Sequence, residues 1–338
     1  MANNTQATLA DAIKTQYERR LLTRALPRLI HGRWGMQARL NKMGSYELRK
    51  YGGLSAVTSA LVEGATPSEQ SAISVTLVTL TPSFYGAWLG YTDELEMTAF
   101  DPIISEFSSI LGEQTGLSAD TIIRNALTDG ATKDYAGSAT SRATLDAPAH
   151  NLSYADFIKQ VAALEANNAL PVEGDDFVVI MHSFTWASLM QDPTFVNLFT
   201  AAGENGANGP LRSGYVGRIL RCKIFVSSNS REYADEGVGS TTDVYSMLFI
   251  ARESHGFVGM AGSFPNLNVD GAPNTNMSGM TGQQVKPVEV IVKQLGSAGS
   301  ADPLNQRATI GWKMSLGLAV TNSAWLFDLE HTNVASDD

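Results

Sequence analysis

DPIISEFSSILGEQTGLSADTIIRNALTDG, Asp101 to Gly130, is the stretch on which the fold turns. It opens with an acid suited to cap a helix and a proline at the first helical position, and it closes on a glycine. Between these signals Ile103, Ile104, Phe107, Ile110 and Leu111 recur at helical spacing. Leu117, Ile122, Ile123, Ala126 and Leu127 continue the stripe. A helix of this length spans ~40 Å at about 1.5 Å per residue. That is long for a globular helix and suits a structural spine. Gly112 and Gly116 are expected to bend or weaken its middle.

Towards the N-terminus, SAISVTLVTLT (71–81) follows a strand pattern, with Ile73, Val75 and Leu77 on one face. Leu61 to Glu69 is a polar Gly/Pro turn, and Gly44, Gly52 and Gly53 punctuate the approach to it. The two arms predict a long hairpin. An isolated hairpin is only marginally stable in water, so this one is expected to lie on another surface. The plainer alternative is a hairpin packed on its own domain. Residues 9–30 read as a helix with a narrow stripe of Leu9, Ile13, Tyr17, Leu21, Leu22, Ala25 and Leu29, interrupted by Pro27 and then Gly32. A helix so exposed needs a partner surface.

Towards the C-terminus, residues 131–152 read as loop. A helix capped by Ser153 follows, with Phe157, Ile158, Val161 and Leu164 on its apolar face. FVVIM (177–181) is a continuous apolar run, the pattern of a strand buried on both faces. A helical turn or two begins at Thr185, and Asp192-Pro193 starts another helix. After a Gly/Asn-rich loop come strand-like stretches at 219–228, 244–252 and 256–260. A polar loop at 261–285 precedes further strands at 288–296, 308–320 and 324–330. The irregular alternation gives an α+β class.

Charge is divided unevenly. Residues 1–50 hold ten Lys and Arg against Asp11, Glu18 and Glu47, a balance of +7 in a chain whose whole charge is −10, so the remainder carries −17. Arg19, Arg20, Arg24, Arg28, Arg33 and Arg39 supply most of the cations. A basic arm on an acidic body either neutralises phosphates or docks on an acidic neighbour, a second copy included. The first reading needs the arginines free. The amphipathic pattern favours the second, because its apolar stripe must be buried on protein. A solvated helix face is the third reading.

Other features narrow the function by exclusion. With 338 residues, 43% hydrophobic and 17% charged, the chain is globular in composition and long enough for one large domain or two. No stretch approaches the ~18 apolar residues of a membrane helix, and the N-terminus lacks a secretory pattern. Cys222 is the one cysteine; it rules out an intrachain disulfide, and its apolar surroundings make it a core thiol. His31, His150, His182, His255 and His331 show no metal-ligand spacing, and no phosphate loop or dinucleotide fingerprint occurs. His182, followed by Ser183, ends a strand where a base could sit, yet no nucleophile elbow surrounds the pair. We therefore expect no catalytic residue, cofactor or metal.

The order of these pieces resembles a family. A basic arm precedes a hairpin tipped by Leu61-x-Glu63-Gly64-x-x-Pro67, then the long helix from Asp101-Pro102, then a Gly/Ala loop and a helix. There follow the Phe-Val-Val-Ile strand, the Asp192-Pro193 helix, Gly214-x-x-Gly217-x-Ile219, Lys223-x-x-Val226-Ser227-Ser228, Asp302-Pro303-Leu304-Asn305-Gln306-Arg307 and Gly311-Trp312-Lys313. Over nearly the whole chain this resembles the major capsid proteins of tailed bacteriophages, with the Hong Kong 97-type fold, and more narrowly the capsid family named after coliphage N-four. The resemblance implies four parts. They are an N-terminal arm (1–42), an extended hairpin loop (43–98), a peripheral domain with the spine helix (99–150 and 286–322) and an axial domain (151–285 and 323–338). It implies hexameric and pentameric capsomers of an icosahedral head around double-stranded DNA, assembled in the host cytoplasm, with portal, scaffold and decoration proteins as further partners and no membrane. Inter-subunit contacts are then expected from the six arginines named above. The hairpin tip is expected to add contacts through Leu61, Val62, Glu63, Gly64, Pro67 and Glu69. Some members of the family cross-link covalently through Lys, Asn and a buried Glu; Lys50 and Glu63 do not match that setting, so no cross-link is expected. An encapsulin-like cellular shell and a hydrolase using His182 and Ser183 stay open as alternatives.

Overall fold

The structure, a computed structural model, describes residues 30–40, 45–54, 56–61, 63–64, 66, 72–98, 103–195, 215–219, 221–260, 288–297 and 302–334. In chain order the strands are β1 (Met36–Leu40), β2 (Tyr46–Tyr51), β3 (Val75–Leu80), β4 (Ser83–Thr92), β5 (Thr132–Tyr135), β6 (Phe177–Met181), β7 (Tyr215–Ile219), β8 (Cys222–Val226), β9 (Glu232–Tyr233), β10 (Val244–Ile250), β11 (His255–Met260), β12 (Val288–Lys293), β13 (Arg307–Val320) and β14 (Leu326–His331). The helices are α1 (Asp93–Thr98), α2 (Ile103–Gly130), α3 (Tyr154–Ala166) and α4 (Ser183–Leu189). The helix expected over 9–30, the Asp101-Pro102 cap and the loop at 261–285 lie outside the described residues.

Two sheets share α2. Seven strands form one sheet in the order β5-β14-β10-β6-β8-β7, with β9 on β10. Val178 and Ile180 of β6 face α2, alongside Phe225, Leu248 and Ile250. Phe177, Val179 and Met181 face the other way, against Phe157, Val161 and Leu164 of α3 and Leu189 of α4. A strand covered on both faces has no polar side, which explains the uninterrupted FVVIM run. The second sheet runs β1-β11-β13-β12, with β4 also on β13. Here only one face is covered: Ile310, Trp312, Met314 and Leu316 alternate into the core against α2, while Lys313 between them is exposed.

Helix α2 is continuous for 28 residues. Much of the expected stripe is the buried face: Leu111, Ile123 and Leu127 are buried, and Ile104, Phe107 and Ile122 pack on the same core. Ile110 and Leu117 are exposed, whereas Ser108, Gly112, Thr115, Gly116 and Ala119 are buried. Gly112 and Gly116 lie on this face, and the helix runs through them unbroken. Three other expectations change. Residues 131–152 contain β5, which lies parallel to β14, rather than loop alone. The stretch 219–228 is two antiparallel strands, β7 and β8, turning at Arg221 with φ 61°. Strand β4 pairs antiparallel along β13 from Ser83 to Thr92, so the free hairpin ends near Leu80.

Strand β5 is clamped by charge. Lys133 Nζ lies 2.5 Å from Asp328 Oδ2 and 2.9 Å from Glu330 Oε1, both on β14. Arg142 grips Glu330 at two points, Nε and Nη2, each at 2.7 Å, and stacks over the Tyr233 ring at 3.4 Å. Burial raises the Asp328 carboxyl above its usual range, although Lys133 and Ser246 pull against it. Lys133 is raised despite burial because Asp328 and Glu330 hold its charge.

Candidate assembly surfaces

The hairpin pairs β2 with β3, Tyr46 opposite Leu80 and Tyr51 opposite Val75. Only its root is rooted in the body. Leu80 is fully buried, and with Leu48 and Tyr46 it packs on Val258 of β11. Gly256 permits this: a Cβ there would stand 3.1 Å from Leu48 Cδ1. Beyond the root the apolar side chains are in water. Tyr51 is 66% exposed, and Val75, Leu77, Ile73, Leu54 and Val57 are exposed as well. At the tip Leu61, at 76%, Glu63 and Gly64 are exposed; Val62, Pro67 and Glu69 lie outside the described residues. The expected strand pairing is present, and its apolar face is unburied within the chain.

A second bare surface lies on the outer face of the second sheet. Trp88 of β4 is 70% exposed, with Phe84 on the same strand face and Ile291 of β12 across β13. Trp88 sits opposite Gly311, where a Cβ would come within 2.9 Å of Trp88 Cβ, and its indole lies over Gly90 of its own strand. Lys313 Nζ lies 4.4 Å from the Phe84 ring centroid, a cation–π contact at the rim. Sequence reading did not single this surface out. Its signal was present in the aromatic residues of β4, but Gly86 and Gly90 disguised the strand.

The arm enters the body through residues 30–35. Ile30 N–H and His31 N–H donate to Asp120 Oδ1, and His31 Nδ1 meets Oδ2 at 2.9 Å. Asp120 would be raised by burial, but the His31 ring and hydrogen bonds from His31 and Asn229 outweigh it and hold the carboxyl below its usual range. Trp34 is buried, packs on Phe225 with ring centroids 4.6 Å apart, and donates from Nε1 to Glu173. Arg33 is half-buried, its pKa lowered by burial with Asp120 opposing. Arg39 lies on β1; Arg19, Arg20, Arg24 and Arg28 lie outside the described residues. His31 and Asp120 are 89 residues apart with no shared motif, so nothing in the sequence pairs them.

The residues weighed for catalysis are engaged in structure. His182 caps α4, its Nδ1 accepting from Phe184 N–H, and the ring is buried, while Ser183 points to solvent. The Cys222 thiol is buried and pushed up to about 12, by burial first and then by Asp176. Burial also pushes His255 and His331 down to about 4. Among the described residues no group of His, Cys, Asp and Glu could hold a metal ion, and no helix is long and apolar enough to cross a membrane.

Comparison with known proteins agrees with this architecture. The family model described as phage capsid protein matches residues 75–326. Among solved structures, the capsid of Ralstonia phage GP4 is similar with a TM-score of 0.64 and 15% identity, covering 90% of this chain and 88% of that one. The capsid asymmetric unit of cyanophage Pam1 gives a TM-score of 0.65 at 13% identity, covering 93% of each chain. The capsid of Helicobacter pylori bacteriophage KHP30 gives 0.60 at 12%, covering 88% of each. No curated relative matches the sequence.

Proposed function

We propose, from the premise that this chain belongs to the phage capsid protein family, that it builds its shell by laying two bare surfaces of one copy against the next. The fold is the Hong Kong 97 type of the capsid structures it matches, and the chain is a structural protein of the phage head. The finer reading concerns how copies meet. One observation carries it: the hairpin and the Trp88 surface are both apolar, both exposed, and on different parts of one chain. Exposed apolar patches of this kind mark interaction sites. Contacts between unlike patches are heterologous, and heterologous contacts close into rings when the rotation between copies divides a full turn. Hexameric and pentameric capsomers are such rings, and they tile an icosahedral head around double-stranded DNA. Interfaces of the obligate class bury ~2,000–5,000 Å² in total. A projecting hairpin supplies such area without enlarging the core.

The division into arm (1–42), hairpin loop (43–98), peripheral domain (99–150 and 286–322) and axial domain (151–285 and 323–338) is part of this proposal, with β4 joined to β13 and the free part of the hairpin loop ending near Leu80. Arg19, Arg20, Arg24, Arg28 and Arg39 then meet the acidic surface of neighbouring copies, whereas Arg33 is half-buried beside Asp120 of its own chain; DNA is met by proximity inside the head. Assembly in the host cytoplasm with portal, scaffold and decoration proteins belongs to the same proposal. A hydrolase is disfavoured because the His182 Nδ1 lone pair is taken by a backbone N–H. A cellular shell enclosing enzyme cargo is disfavoured by the family match. Electron microscopy of the purified protein, with scaffold supplied, tests the proposal. Closed shells are expected, and a monomer persisting at high concentration would overturn it.

A further inference from the structure

Three segments remote in sequence meet at the Asp120 carboxylate. Oδ1 accepts the N–H groups of Ile30 at 2.8 Å and His31 at 2.7 Å. Oδ2 meets His31 Nδ1 and accepts from Asn229 Nδ2, each at 2.9 Å. The arm root, α2 and the turn after β8 are thus joined at one side chain with no exposed surface. Cationic groups crowd it. Arg33 follows two residues after His31, and Arg124 lies one helical turn on; burial lowers the pKa of both, and Asp120 opposes it. Arg231 stands against Arg124, with Asn125 accepting from both. Removing the carboxylate charge takes away an attraction that an arm-root cation and a body cation share.

The same joint carries a fault. His31 Nε2 is buried and has no hydrogen-bond partner among the described residues. If Nδ1–H donates to Asp120 from a neutral ring, the Nε2 lone pair is unmet; if the ring is an imidazolium, the Nε2–H is unmet. A buried polar group left without a partner is costly in either form, and opening the joint returns this one to water. The root therefore gives up fewer net interactions on opening than its hydrogen bonds suggest.

Opening would move Trp34, three residues further on. Its indole packs on Phe225 of β8, and its Nε1 donates to Glu173, which also pairs with Lys223 of β8. Its carbonyl faces His255 Nε2 on β11 of the other sheet. Trp34 is a wedge between the two sheets.

We propose that Ile30–Trp34 is a latch closed by Asp120, which opens as a local unit and, by withdrawing Trp34, loosens the seat between the sheets while both stay folded. Segments of a native fold open locally with free energies below that of global unfolding. The latch is a property of the single chain and stands whether or not shells form. Where copies do assemble, a neighbour that holds residues 1–29 acts on the sheet seat through it.

Hydrogen exchange on the isolated full-length chain, below any assembling concentration, tests this directly, because Asp120 itself protects the Ile30 and His31 amides. In the wild type, residues 30–35 should exchange at least tenfold faster than β6 and β10. Asp120→Asn should raise exchange over 30–35 at least tenfold more and leave β6 and β10 unchanged. Asn229→Ala, which removes one of the four bonds and spares those from the arm, should give a smaller, two- to fivefold rise in the same place. It serves if the first variant does not fold. Wild-type exchange at 30–35 as slow as in β6 would overturn the latch. So would a variant that loosens β6 and β10 as much as the arm root, since that is the behaviour of an ordinary structural contact.

Discussion

Replacing Lys133 by Met should cost stability in a way that depends on pH. Lys133 is the cation of a buried pair: its Nζ reaches Asp328 and Glu330, and Asp328 is wholly buried. Removing one partner of a buried pair typically costs about 3–5 kcal/mol, because the other charge is left uncompensated. Two details place this variant at the lower end, about 3 kcal/mol. Lys133 is a quarter exposed, and Ser246 still donates to Asp328. Glu330 keeps its two-point grip from Arg142 and should be little disturbed.

The sign with pH follows from Asp328. Burial already raises its pKa in the folded chain, and loss of Lys133 raises it further. A carboxyl with a raised folded pKa favours folding in acid, and that contribution is lost as pH rises from the unfolded value, about 4, through the folded one. The deficit of the variant should therefore be small near pH 4.5 and full by pH 8. In the wild type the raised Lys133 keeps the pair intact through neutrality, since such a contribution persists below the unfolded lysine value of about 10.4. Urea unfolding of both proteins at the two pH values measures the difference. Adding Asp328→Asn to the variant removes the stranded charge and should recover all but ~1 kcal/mol, as neutral replacements of buried pairs do. A deficit equal at both pH values, or no recovery in the double variant, would refute the reasoning.

Deleting residues 61–69 should leave unfolding unchanged within ~0.5 kcal/mol, since the described residues there, Leu61, Glu63, Gly64 and Thr66, are exposed and such residues contribute little, but abolish shells under electron microscopy; shells of normal size would deny the tip a role. Trp88→Ala, at a side chain largely in water, should likewise spare stability and raise the concentration needed for assembly at least tenfold by light scattering. Changing Arg19, Arg20, Arg24 and Arg28 to Gln should impair empty-shell assembly without DNA. If empty shells form normally and only DNA packaging suffers, the arm is a genome contact. The Cys222 thiol, held near 12 by burial, should resist a thiol reagent at pH 8 in the native protein and react once guanidinium unfolds it.

Legibility followed the range of the interactions. FVVIM could be read as a central strand because burial on both faces leaves a continuous apolar run. The Ser153 cap was legible because capping is local; Ser153 Oγ does accept from Asp156 N–H. The inner face of α2 was legible in part: Leu111, Ile123 and Leu127 are buried as their spacing predicts, whereas Ile110 and Leu117 are exposed and the small Ser108, Gly112 and Gly116, which carry no apolar signal, are buried. The β7–β8 turn was hidden because Arg221, an arginine, adopts the left-handed conformation usually given to glycine. The Asp120 joint was out of reach, since no local pattern ties residues 30, 31, 120 and 229.

The hairpin root adds a mechanical consequence to the proposed function. A ring of five and a ring of six ask the same heterologous contact to turn through different angles. A rigidly embedded hairpin would pass that difference into the core, where close packing resists small deformations. Here the root is a satellite cluster of Leu80, Val258, Leu48, Tyr46 and Ala319, separate from both main cores. Gly256 sits beneath it, where a side chain would jam Leu48. If the proposed capsomers of both sizes form, the ribbon is the part expected to change its angle, about Leu80, while β11 and β13 stay fixed; hairpins superposed from pentamer and hexamer subunits would show it, and identical angles would refute it. The bare apolar face of β2 and β3 moves as a unit with the swing, because Tyr51 and Val75, and Arg49 and Leu77, are held opposite each other by the antiparallel register.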